Sequence, residues 1–214
     1  MKHKTLIFIA IATVFLVLKS NAMDKSSPVA GSFNIEKDLL LLQYDCKTDV
    51  DDLHTVAATV TLLSDPKFSN IHYHAVAGTY GIQEGPYVPP NELFQLAFGD
   101  NRSDAHGNYD KAVEQVKGII KTTLANQGDI WIADAGQSDF TASVIKAVQS
   151  DLPEVNISQR IHVVQHSDWN EEVTAPANLQ FVKENADYHK IPDGNAVGNG
   201  TPGFRSPDYT LLKD

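Results

Sequence analysis

Apolar and polar positions alternate along the chain in blocks that predict strands and helices in turn. Leu39 to Tyr44 is a mostly apolar run closed by Asp45, the pattern of a strand buried on both faces. Leu53, Val56, Ala57, Val60 and Leu63 then recur at helical spacing and stop before Asp65-Pro66. Ile71 to Ala77 reads as a second strand ended by Gly78, and the polar, proline-bearing stretch 79–108 as loop with one short helix around Glu92 to Ala97. Ala112, Val113, Val116, Ile119 and Ile120 predict a helix, Ile130 to Ala133 a third strand, and Val144, Ile145 and Val148 another helix. Ile161 to Val164 follows as a fourth strand, Leu179, Phe181 and Val182 as a helix, and Tyr188 to Ile191 as a short last strand before a turn-rich tail. Such alternation predicts a doubly wound α/β domain with a mainly parallel sheet. Ligands then belong beyond the carboxyl ends of the strands, at Asp45–Asp52, Gly78–Tyr80, Asp134–Asp139 and His166–Glu171.

The start of the chain reads as an address. Lys2, His3 and Lys4 precede an apolar run of 13 residues from Leu6 to Leu18, too short to span a bilayer comfortably, and small residues lead to a cut after Ala22. Residues 1–22 are therefore expected to be a signal peptide, 23–34 a linker and 35–214 the domain, with the mature protein periplasmic or secreted and keeping no stable membrane span. The alternative is an uncleaved amphipathic anchor. Export changes the charge: the full chain has 17 basic and 27 acidic side chains, and losing residues 1–22 removes three lysines. So acidic a chain argues against a nucleic-acid partner, because phosphate neutralisation needs a basic surface. The single cysteine, Cys46, excludes an internal disulfide and in an oxidising compartment is best protected by burial. An oligomer is compatible with all of this.

The densest chemistry is Asp45-Cys46-Lys47-Thr48-Asp49-Val50-Asp51-Asp52, four carboxylates in eight residues between a buried strand and a helix. Helix capping explains one or two acids there, since free N–H groups favour anions. Four like charges also call for a metal, a counter-ion or acid/base work.

This segment resembles the nucleoside hydrolases, whose signature runs strand, Asp-x-Asp-x-x-x-Asp-Asp, then an alanine-rich helix; Asp45, Asp51, Asp52 and LHTVAATVTLL match it. Val76-Ala77-Gly78-Thr79 is similar to the family's second-strand Val-Ala-Gly-Asn, IWIADAGQSDFTASVIKAV to its Thr-Gly-Gly-Leu-Thr-Asn segment, and Asp168-Trp169-Asn170 to its Glu-Phe-Asn. The resemblance spans about residues 38 to 191 and implies a calcium-bound hydrolase of N-ribosidic bonds, acting on a small nucleoside or sugar. It implies Asp51 as the ribose-contacting acid and remaining general base. Asp45, Asp49, Asp52 and the Asp134 carbonyl become metal-site groups, and Thr79, Asp168 and Asn170 substrate contacts. Thr79, Asp134 and Asp168 should then meet in one pocket. The chain departs from the family at Lys47, which replaces the metal-binding, water-activating aspartate, at Asp49 for a glycine and at Thr79 for an asparagine; the last calcium ligand has no counterpart. Lys47 is expected to pair with Asp45, Asp51 or Asp52 and to weaken calcium binding, because an ammonium relieves the repulsion that the ion otherwise relieves.

Other readings stand beside this one. A catalytically degenerate sugar- or nucleoside-binding module would keep the fold without turnover. Haloacid-dehalogenase-type phosphatases also place an acidic motif after a buried strand, but Lys47 again occupies a required aspartate position. His72 and His74 share a strand face and could ligate zinc, though such pairs are more often satisfied locally. His166 and Trp169 are placed to reach the pocket or to serve as plain structure.

Overall fold

The computed structural model describes residues 31–47 and 50–193; the expected signal peptide and Asp49 lie outside the described residues. Strand β1 (Leu39–Tyr44) shows why the apolar run was continuous: Leu39 and Leu41 enter one core cluster while Leu42 and Tyr44 enter the other. Side chains two apart share a face, so a strand with apolar residues at both parities must be covered on both sides.

Around β1 the sheet adds β2 (His72–Ala77), β3 (Arg102–Asp104), β4 (Ile130–Asp134), β5 (Ile161–His166) and β6 (Asp187–Ile191), all parallel and in the order β3-β2-β1-β4-β5-β6. This is the doubly wound, Rossmann-like order, and its reversal lies between β1 and β4. On one face, β1 and β2 pack against α1 (Asp51–Leu63) and α2 (Asn91–Phe98), where Tyr44, Phe94 and Phe98 meet edge-to-face or stacked. On the other, Ala112, Val116, Ile120 and Leu124 of α3 (Tyr109–Ala125) and Val144, Ile145 and Val148 of α4 (Ser138–Asp151) cover Leu41, Ile132 and Val163. A short α5 (Asp168–Glu172) and α6 (Pro176–Asn185) complete the order. Among the described residues no helix is long and apolar enough to cross a membrane.

Two short elements depart from the sequence expectation, the five-residue α5 and the strand β3. Strand β3 lies inside the stretch expected to be loop, and it is three polar residues long. It pairs at the sheet edge, where Ser103 hydrogen-bonds His74 Nε2 at 2.8 Å.

Candidate functional site

At the carboxyl end of β1 the chain turns through Cys46, which is buried and holds φ at 55°, a left-handed conformation that costs a non-glycine residue about 1–2 kcal/mol. The turn aims the Cys46 N–H at Asp52 Oδ2, 2.7 Å away in the first turn of α1. Asp51 Oδ1 accepts the Asp52 N–H at 2.8 Å, while Asp45 Oδ1 accepts the Lys47 N–H at 2.7 Å. The strand end and the helix start are thus tied by the same acids that distinguish them.

A second left-handed residue, Ser167 (φ 65°), follows β5 and caps α5, with its hydroxyl accepting the Asn170 N–H at 3.3 Å. That bend brings Trp169 and Asn170 to the same end of the sheet. Between the two bends lies a cleft of about 270 Å³, lined by Asp45, Lys47, Asp51, Asp52, Gln83 and Ala135 and, from the β5 side, by His166, Ser167, Trp169, Asn170 and Asp193. It opens at the β1–β4 reversal, where open α/β sheets bind ligands. A larger hollow of about 700 Å³ sits at the opposite, amino edge around Ser69–His74 and Thr122–Asn126. We place the site in the smaller cleft because the acids, amides and an exposed indole converge there.

The electrostatics of the cleft are those of acids facing acids. Burial pushes the Asp52 carboxyl up to about 8, and the negative charges of Asp45 and Asp51 add to the effect. The neighbouring Asp45 carboxyl therefore favours the protonated form of Asp52. Burial also pushes the Cys46 thiol well above its ordinary range, which keeps it unreactive. Lys47 does not pair as expected. Its ammonium donates to the Gln83 carbonyl at 2.9 Å and stands 4.1 Å over the Tyr80 ring, and among the described residues no ion pair joins it to a carboxylate.

Not every expected site residue reaches the cleft. Asp45, Asp51, Asp52 and Asn170 line it. Asp168 stands outside with its side chain 79% exposed, paired with Lys190, because the first residue of α5 points away from the face that carries Asn170. Thr79 is fully buried below the floor; its N–H donates to the Tyr44 carbonyl at 3.0 Å and its own carbonyl accepts from Gln137 N at 2.9 Å. Asp134 is buried beneath the floor as well. Its Oδ2 accepts from Ser138 and Thr141, both at 3.2 Å, its Oδ1 finds no partner, and its carbonyl accepts from Gln165 Nε2 at 3.1 Å. Burial pushes the Asp134 carboxyl up to about 7. His72 is exposed and His74 is buried on Ser103, with burial lowering it to about 4.

Calcium takes six to eight oxygens. Among the described residues no group of three or more His, Cys, Asp or Glu side chains is placed to hold a metal ion.

Two residues that sequence reasoning passed over complete the floor. Gln137 is fully buried, donates to Asp45 Oδ2 at 2.7 Å and accepts the Gly81 N–H at 2.8 Å; Gln83 meets it at 2.9 Å. Gln137 lies within the strand-end stretch 134–139, and that position was its one legible signal. Compared with known proteins, the chain matches no family model and no curated protein.

Proposed function

We propose that this chain is an exported hydrolase of the N-glycosidic bond of a ribonucleoside or a related glycoside, working in the cleft at the carboxyl edge of the sheet. The observation that carries the reading is the convergence of Asp45, Asp51 and Asp52 with an exposed indole in one cleft at the strand-order reversal. Trp169, 55% exposed, offers a flat apolar face on which a base or sugar ring stacks. Asn170 donates one amide N–H to the Ala135 carbonyl at 3.0 Å, which leaves its other for a hydroxyl.

In this reading Asp51, the exposed acid of the three, takes a proton from a water as that water adds to the anomeric carbon. The C–N bond breaks and its electron pair leaves with the base. Asp45 and Asp52 face the sugar as it gains oxocarbenium character, and their shared negative charge stabilises it. Every step is carried by side chains of this chain; calcium, if bound near the acids, would add charge stabilisation.

A second reading, a sugar- or nucleoside-binding module without turnover, is favoured by Lys47, whose ammonium is spent on a carbonyl and a ring rather than on activating water. One experiment separates them. The protein is incubated with a panel of nucleosides, with and without calcium, and released base and reducing sugar are assayed. Turnover lost in Asp51→Asn supports the hydrolase; saturable binding without turnover supports the module; neither binding nor turnover rejects both.

A further inference from the structure

The Gln137 carboxamide is surrounded by three oxygens from three different parts of the chain. Its Nε2 lies 2.7 Å from Asp45 Oδ2 after β1, 2.9 Å from Gln83 Oε1 in the β2–α2 loop and 3.3 Å from Asn170 Oδ1 on α5. The orientation of the amide follows from chemistry. Its oxygen accepts the Gly81 N–H at 2.8 Å, so a flipped amide would set an NH₂ against that donor and three oxygens against an oxygen. Gly81 is closely packed: a Cβ there would run into the Asp139 carboxylate and approach the Val173 carbonyl at 3.0 Å.

One carboxylate and two amide oxygens converging on a point are ligands that a hard divalent cation takes, at about 2.3–2.6 Å for calcium. Here the point is filled by nitrogen, and the distances are those of hydrogen bonds. The two protons of the NH₂ are shared among three acceptors, so the group acts as a small, fixed centre of positive potential. The Lys47 N–H takes the other Asp45 oxygen at 2.7 Å, so both oxygens of that acid receive a backbone or amide donor.

We infer that the Gln137 carboxamide stands where a divalent cation would stand among Asp45, Gln83 and Asn170, and that the cleft keeps its shape without a metal. Gln137 is in these terms a positioning residue: it holds three groups at the floor of the cleft and touches no ligand. The inference does not depend on whether the cleft hydrolyses its ligand or only binds it.

The test is the response of the folded protein to calcium, read by thermal melting and by calorimetric titration with calcium chloride, with EDTA as the control. The unmodified chain is expected to melt at the same temperature in calcium and in EDTA and to show no calcium binding below millimolar. Gln137→Glu keeps the side-chain shape and the acceptor for Gly81 but replaces the donors with an oxygen, so four oxygens face one another. This variant is expected to melt several degrees lower in EDTA and to recover on adding calcium, a gained dependence that a merely space-filling residue would not confer. A calcium-dependent rise in the melting temperature of the unmodified chain would overturn the inference. A folded Gln137→Glu that melts alike in calcium and EDTA would overturn it too. If Gln137→Glu does not fold in either condition, the unmodified chain decides alone: insensitivity upholds the inference and calcium binding ends it.

Discussion

Aspartates gather at the amino edge of the sheet and in the cleft at its carboxyl edge, and the two groups are handled in opposite ways. At the amino edge Asp38, Asp129 and Asp187 are each answered by a cation or by dedicated donors. Asp129 pairs with Arg160, and Asp187 accepts from His162 Nδ1 at 2.7 Å and His189 Nε2 at 2.8 Å. Buried Asp38 accepts the Asn34 and Asp129 N–H groups, both at 2.8 Å, and Trp131 Nε1 at 3.0 Å. In and beneath the cleft Asp45 and Asp52 neighbour each other, Asp134 faces two hydroxyls, and the Lys47 ammonium, which lines the same cleft, is turned to a carbonyl. Matched acids fasten loops to the sheet. Acids crowded together are held at a free-energy cost, and proteins keep such arrangements where charge must be met from outside or a proton moved.

The largest effect expected from this contrast is on turnover. Asp51→Asn should lower hydrolysis of the best nucleoside by at least about 10²-fold, the size of a general-base contribution. Asp187→Asn at the amino edge should leave the same rate within about twofold, because no described group links it to the cleft. Steady-state assays of both variants on one substrate check the pair, and equal losses would erase the functional distinction between the edges.

How far this division was legible in the sequence depends on range. Leu39, Leu41, Leu42 and Tyr44 announce a doubly covered strand, because each apolar position has one face to go to. Ala112, Val116, Ile120 and Leu124 likewise announce one face of a helix. Arg102–Asp104 announces nothing: three polar residues become strand only because β2 offers them a ladder and His74 a partner in Ser103. At the site, Asp45, Asp51 and Asp52 were visible because charge at a strand-to-helix junction is conspicuous. Gln83 and Gln137 are neutral, carry no spacing rule, and meet partners 54 and 92 positions away in sequence. Asp168 misleads for the converse reason: two residues along a helix turn a side chain by about 200°, so Asn170 enters the cleft and Asp168 leaves it.

A second prediction tests the scaffold behind the crowded acids. Gly81→Ala puts a methyl group against the Asp139 carboxylate and the Val173 carbonyl and disturbs the N–H that orients Gln137. Overpacking of this kind costs about 1–3 kcal/mol, so the melting temperature should fall by several degrees. Differential scanning calorimetry reads it, and an unchanged melting temperature would mean that the loop yields freely.

The third prediction concerns pH. The carboxyls of Asp134 and Asp52 are raised to about 7 and about 8, so between about pH 4 and about pH 8 the native state binds protons that the unfolded chain has released. Stability from these acids is fully present below about pH 4 and is lost as pH rises through the folded values. Denaturant melts should therefore weaken from about pH 5 to about pH 8. Asp134→Asn should flatten the lower part of that slope, since its amide offers a donor where Oδ1 now has no partner and carries no charge to bury. A slope of equal steepness in Asp134→Asn would remove Asp134 from the account.

The smallest expected effect is the mirror image at the amino edge. Burial alone would raise the Asp187 carboxyl, but the hydrogen bonds from His162 and His189 outweigh it and hold the group below its ordinary value. The sign is then reversed: its contribution is present above the usual carboxylate range and is lost as the pH falls through the lowered value. Because Asp187 and its partners are partly open to solvent, the contribution is only about 0–1 kcal/mol. Asp187→Asn should thus cost little near neutrality, nothing measurable at strongly acid pH, and less still in high salt, where exposed pairs are screened. Chemical denaturation at about pH 7 and about pH 3, in low and high salt, measures all three; a loss of several kcal/mol at neutrality would show that Asp187 is tied far more strongly than a solvent-open pair, and a gain would show that the amino edge, too, keeps its acids under strain.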